Sequence, residues 1–154
     1  MDRKKVFAAL LVLMSLTSAA LAASHTANLE ELARSLRTPE EVARWMSEEL
    51  TYELKLPDEP RSPHQTLLAR CGDCDDFAKL ASVILARMGI ENEIIVIRFK
   101  GLSVAHAICV WRENSGPYSF ISNRELQKTD QDSVEKLVRK FYPDYESIES
   151  VKTT

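Results

Sequence analysis

A chain of 154 residues with 45% hydrophobic and 28% charged side chains has the make-up of one globular domain with enough apolar mass for a core. Its net charge of −3, with no basic cluster beyond the first five positions, gives no general attraction to phosphate backbones or acidic membrane surfaces, and so no footing for a nucleic-acid partner. Three cysteines cannot all pair within one chain, so at least one thiol is free.

The first 22 residues read as a signal peptide. Asp2-Arg3-Lys4-Lys5 is a charged start, "VFAALLVLMSLTSAALA" is apolar, and Ala20-Leu21-Ala22 supplies a small-x-small cleavage pattern, placing the cut after Ala22. The alternative is an uncleaved anchor, since Val6 to Ala23 approaches the minimum spanning length of about 17 to 20 residues. The Ala-x-Ala ending favours cleavage, hence an exported chain with no stable membrane insertion, in a compartment where thiols are not kept reduced. Residues 23–37 form a weakly helical, mobile lead-in, and 38–154 a single domain.

That domain opens on "TPEEVARWMSEEL", where Thr38 as N-cap, Pro39 at the first helical position and Glu41 three residues after the cap start a helix burying Val42, Trp45, Met46 and Leu50. "KLPDEPRSPHQ", with three prolines, reads as a connecting loop. In "RCGDCDDFAKLASVILARMGI" the apolar positions Phe77, Leu80, Ala81, Ile84, Leu85 and Met88 keep helical spacing up to the terminator Gly89, which puts Cys74 in the first turn of a buried helix. Strands follow from Glu93 to Phe99, Val104 to Trp111 and Pro117 to Ser122, the last two joined by an Asn114-Ser115-Gly116 turn. A final helix, Ser133 to Phe141 with Asp132 as cap, buries Val134, Leu137, Val138 and Phe141. This order predicts an α+β fold, an antiparallel sheet packed on the Cys74 helix.

A thiol at a helix amino terminus faces unpaired N–H groups and the positive end of the dipole, which can lower its pKa from about 8.5 into the range of roughly 3.5 to 7.5. Acyl transfer also needs a base. His25 lies beside the cleavage site and His64 in the proline-rich loop, whereas His106 is centred in the apolar strand "VAHAICVW" and is the candidate; as a core residue it would bond a backbone carbonyl instead. Cys71-x-x-Cys74 with His106-x-x-Cys109 has the ligand types of a zinc site. Strand alternation argues against it, because His106 and Cys109 point to opposite faces. "CGDC" also resembles a redox turn, but "RSPHQTLLAR" before it lacks the hydrophobic strand such turns follow. Cys71 is read as a structural or incidental thiol able to bridge to Cys74, and Cys109 as a small core residue.

"GDCDDFAKLASVILARMGI" followed by "AHAICVW" resembles the transglutaminase-like domain of bacteria, a branch of the papain-like cysteine enzymes, and the resemblance runs from about Thr38 to Leu126. It implies Cys74 as nucleophile, His106 as base, and Asp76 as a supporting acid that ties the helix start to its surroundings. The family pattern has an aspartate after the third strand, where "YSFISNREL" offers only Ser122 and Asn123. Asn123 is the expected third member, since an asparagine can fix the imidazole tautomer; Ser122 is its competitor. The implied function is that of an exported thiol enzyme, periplasmic or extracellular, a cysteine peptidase, amidase or acyl transferase working through a Cys74 thioester on a protein or peptide. No cofactor or metal is called for, and the oxyanion would bond the Cys74 N–H; the residues identify no second donor, Gln65 being one candidate. The alternative is a catalytically silent peptide- or protein-binding module on the same fold.

Overall fold

The computed structural model describes residues 28–54 and 59–152, so the expected signal segment lies outside the described residues. In chain order the elements are α1 (Leu29–Ser35), α2 (Pro39–Glu49), β1 (Thr51–Tyr52), α3 (Pro63–Ala69), β2 (Cys71–Gly72), α4 (Cys74–Arg87), β3 (Asn92–Phe99), β4 (Ala105–Arg112), β5 (Tyr118–Ser122), β6 (Glu125–Lys128), α5 (Val134–Phe141) and β7 (Tyr145–Lys152). An antiparallel sheet of order β6-β5-β4-β3-β7 forms the middle layer, and β1 and β2 make a separate short parallel pair.

The apolar stripe of α4 decides where that sheet is covered. Phe77, Leu80, Ala81, Ile84 and Leu85 are fully buried against Cys109, Trp111 and Ile121, with Val42 and Met46 of α2 completing the cluster. Each such large apolar side chain contributes about 1.5–3 kcal/mol on leaving water. Alternation along the strands turns Ile95, Ile97, Ile108, Val110 and Phe120 to the opposite face, where Leu137 and Val138 of α5 cover them. The sheet therefore lies between α4 and α5. No helix among the described residues is long and apolar enough to cross a membrane.

Local signals account for most element ends. Thr38 accepts the Glu41 N–H at 3.2 Å, and Gly89 sits at φ +79° past the end of α4. Three departures from the sequence expectation have physical causes. The proline-rich stretch holds α3, because Ser62 and Gln65 form a capping box around Pro63 at the first helical position. The cap of α5 is Ser133, whose hydroxyl accepts the Lys136 N–H, while Asp132 reaches the Lys136 ammonium. The edge strands β6 and β7 carry mostly part-exposed or exposed side chains, so little hydrophobic alternation marks them. The segment preceding Thr38 is helical as α1, with Leu29, Leu32 and Leu36 against the core.

The approach to α4 is tightly packed. Asp76 is wholly buried, and its Oδ1 accepts the Arg61 N–H at 2.7 Å, tying the loop before α3 to the first turn of α4. A Cβ on Gly72 would stand 2.8 Å from Asp76 Cβ and 2.9 Å from Oδ2. Gly72→Ala is accordingly expected to destabilise the fold by about 1–3 kcal/mol, the usual cost of overpacking, read as a lowered urea midpoint with an unchanged m-value.

Candidate active site

Cys74 is the first residue of α4, and β4 passes directly across its thiol. Ala105 O lies 4.0 Å from Sγ, and the Ala107 N–H is directed at the same sulfur, so the peptide groups on both sides of His106 bracket the thiol. Among the described residues the sulfur makes no hydrogen bond to the imidazole. Such contacts are commonly loose before substrate binds.

The imidazole has a different partner. His106 Nε2 lies 2.8 Å from Ser122 Oγ, and Ser122 Oγ accepts the Tyr142 O–H at 3.1 Å. Strand register explains this choice. Ser122 is paired with Ile108 across β4 and β5, so the two share a face, and His106, two residues along β4, shares it too. The diagonal spacing is within reach of a ring. Asn123 lies beyond the strand end in a left-handed conformation, φ +52°, which asparagine tolerates better than most residues. Its Oδ1 is buried and unpartnered among the described residues. The contact expected of Asn123 is made by Ser122.

Ser122 and Asn123 line a cavity of about 240 Å³ together with Ser47, Tyr52, Arg124 and Glu125. A larger cavity, about 660 Å³, lies near Trp111, Arg112 and Lys152 and touches neither Cys74 nor His106. The smaller one is not lined by Cys74 or His106 either, but it includes Ser122, the partner of the His106 ring. Tyr52 enters it from β1, its ring edge-on to Phe77 with centroids 6.2 Å apart. Gln65 is held elsewhere, its Oε1 accepting the Ser62 N–H at 2.8 Å in the cap of α3.

Burial opposes ionisation of both groups. Burial pushes the Cys74 thiol above its ordinary value, and the Asp73 and Asp75 carboxylates push the same way, against the Ala107 and Asp75 N–H groups that favour thiolate. Burial also lowers the His106 ring. Both shifts favour the neutral forms, a thiol and an imidazole, where the helix-start position alone led us to expect a depressed thiol. Asp73, nearly buried and with Oδ1 unpartnered among the described residues, is pushed up to about 6 by burial and by Asp75. Because that value stands above the ordinary carboxyl value of 3.8, the contribution of Asp73 to stability is full below that ordinary value and is lost as pH rises from it through about 6. Asp75 stays ionised, held below the usual range against its own burial by the Asp73 carboxyl and the Lys79 ammonium.

The remaining thiols fall to other tasks. Cys71 Sγ donates to Glu53 Oε2 at 3.0 Å and receives Arg61 Nη1 at 3.4 Å, and the three cysteines are unbridged. Cys109 is buried in the core against α4, its thiol pushed up by burial. Among the described residues the acidic or thiol groups that converge are Asp73, Asp75 and Asp76, with ligand atoms within 4.8 Å of one another. These are hard oxygen donors, of the kind that suit a calcium or magnesium ion rather than zinc. The sequence reading missed Tyr142, which no motif marks; it follows an amphipathic helix as one of two adjacent aromatics.

The family model described as the transglutaminase-like domain matches residues 20–131. The chain belongs to that family. Among solved structures, this transglutaminase-like domain is similar to Legionella pneumophila LapG, at 16% identity and a TM-score of 0.54, over 82% of this chain and 83% of that one. A structure of EGTA-treated Legionella pneumophila LapG is similar at 16% identity and a TM-score of 0.53, over 77% of this chain and 76% of the other. At that identity the likeness establishes the fold. No curated protein matches.

The electrostatic account predicts the thiol chemistry of the resting protein. In chelator-treated protein, iodoacetamide should alkylate Cys74 slowly at neutral pH and faster only through the alkaline range. Asp73→Asn removes a carboxylate beside the thiol and should raise the rate at pH 8 by about three- to tenfold, the scale of up to one pKa unit. An unchanged rate would show that Asp73 does not bear on the sulfur.

Proposed function

We propose that this domain is an exported thiol enzyme that cleaves or transfers an acyl group of a protein or peptide through a thioester on Cys74. One observation carries the reading: a thiol at the start of a buried helix, bracketed by the backbone of a strand whose histidine is held by a serine. His106, with Nε2 committed to Ser122, keeps Nδ1 for the thiol proton.

In the reaction proposed, the Cys74 S–H proton passes to Nδ1 as sulfur attacks the substrate carbonyl carbon. The carbonyl oxygen becomes an oxyanion, with the Cys74 N–H as its donor. The C–N bond then breaks, the leaving amine takes the proton from Nδ1, and the acyl group remains as a thioester. Water or a second amine then attacks the thioester carbon while giving its proton to Nδ1, the C–S bond breaks, and the sulfur takes that proton back as the acid or new amide leaves. Burial disfavours the separated ion pair, which favours proton transfer in step with attack. The three-carboxylate cluster supplies no step here.

A second reading is favoured by the raised thiol and the neutral third residue. In it the same groove binds a peptide without cleaving it. Turnover separates the two. The enzyme reading expects hydrolysis of an unfolded protein or a peptide mixture, abolished by Cys74→Ser and by His106→Ala. Ser122→Ala should cost about 10–100-fold, the usual scale for a group that orients another, while Asn123→Ala should change the rate by less than about threefold, as for a side chain outside the proton path. Binding without turnover would establish the silent module. A crippling Asn123→Ala beside a silent Ser122→Ala would reassign the third position.

A further inference from the structure

We propose that Tyr142 is a positioning residue of the site, acting through Ser122 to orient His106; this rests on the thiol-enzyme reading above. The argument begins with what serine lacks. An aspartate in the third position accepts the ring N–H and can do nothing else, so it fixes the tautomer by itself. A serine carries one proton and two lone pairs. Left alone it can turn its own O–H onto Nε2, which would leave the ring proton on Nδ1 and disable the nitrogen needed for the thiol. A second group able to accept the Ser122 O–H removes that freedom.

Tyr142 is placed to be that group. It closes the C-terminal end of α5, its N–H donating to Val138 O at 2.8 Å while its carbonyl accepts the Tyr145 N–H at 3.0 Å. Its ring packs against Phe99, with centroids 6.3 Å apart, and against Phe120 at 6.4 Å. The imidazole lies 5.6 Å away by the same measure, tilted by 50°. Backbone and ring are therefore both fixed, and the hydroxyl stands 3.1 Å from Ser122 Oγ, itself 2.8 Å from Nε2.

A tyrosine hydroxyl both donates and accepts, which suits a base that changes charge. With the ring protonated, Nε2–H fills a lone pair of Ser122 and the serine O–H turns to Tyr142 Oη. With the ring neutral and its proton on Nε2, Nε2–H still fills one lone pair of Ser122 while Tyr142 donates to the other. Only hydroxyl rotations separate the two arrangements, and no proton changes owner. The charged arrangement gains more from the chain, because hydrogen bonds to an ionised donor are about twice as strong as neutral ones. Tyr142 lies beyond the stretch matched by the family, residues 20–131, so this support comes from the C-terminal helix and not from the matched segment.

The test is a double-mutant cycle on the full domain with Ser122→Ala, Tyr142→Phe and both together. Tyr142→Phe keeps the ring and its packing, and urea unfolding checks that the fold persists. Two readouts are taken: the ¹⁵N signals of the His106 ring, and kcat with KM. Tyr142→Phe should move the Nε2 signal and lower kcat about tenfold, at the lower end for a supporting hydrogen bond, with KM unchanged. Added to Ser122→Ala, it should do nothing further to either readout. An unmoved Nε2 signal, or an equal loss in both backgrounds, would overturn the proposal. If the wild-type protein shows no turnover, the enzyme reading fails, and the ring signals still decide whether Tyr142 acts through Ser122.

Discussion

The seating of the first turn of α4 against β4 governs the rest of the site. A helix buried along its length can offer chemistry only at an end, and here that end is pinned from two sides. Asp76, wholly buried, takes the Arg61 N–H, and Gly72 lets the chain close onto it with no room for a side chain. Those contacts fix where Cys74 emerges, and the backbone on either side of His106 closes around it. The cost of displacing α4 is the exposure of a continuous apolar stripe, so the thiol inherits the rigidity of the core.

The same burial favours the neutral forms of both groups at the site. A helix start favours thiolate, but desolvation acts on the charged form alone and outweighs it here, with Asp73 and Asp75 adding to the penalty. His106 is disfavoured as a cation for the same reason. A neutral third residue suits that balance, since an aspartate at Ser122 would place a further charge in a layer already covered by Leu137 and Val138. The hydroxyls of Ser122 and Tyr142 orient the ring without adding one.

Much of this was legible in the sequence, and the exceptions share a cause. The helical stripe from Phe77 to Leu85, the Thr38 cap and the three central strands are local patterns, and each left a mark in consecutive residues. The placement of Cys74 at a helix start and of His106 on a central strand followed from those patterns, and the resemblance to transglutaminase-like domains agrees with the family match. The choice between Ser122 and Asn123 turns on the pairing of Ser122 with Ile108, a register between two strands that no single strand encodes. Tyr142 joins the site only because α5 folds back over the sheet, and β7 forms only because β3 offers an edge to it. The expected lowering of the Cys74 pKa rested on the helix start alone, and a motif conceals the burial that acts against it.

The central claim is that Cys74 carries an acyl group between two partners. Intact-mass spectrometry of the protein mixed briefly with an activated peptide ester, followed by peptide mapping, tests it most directly. The account predicts a mass increase equal to one acyl group, located on Cys74, decaying on standing and absent from His106→Ala. An unmodified wild-type chain, or an acyl group found on Cys71, would contradict it.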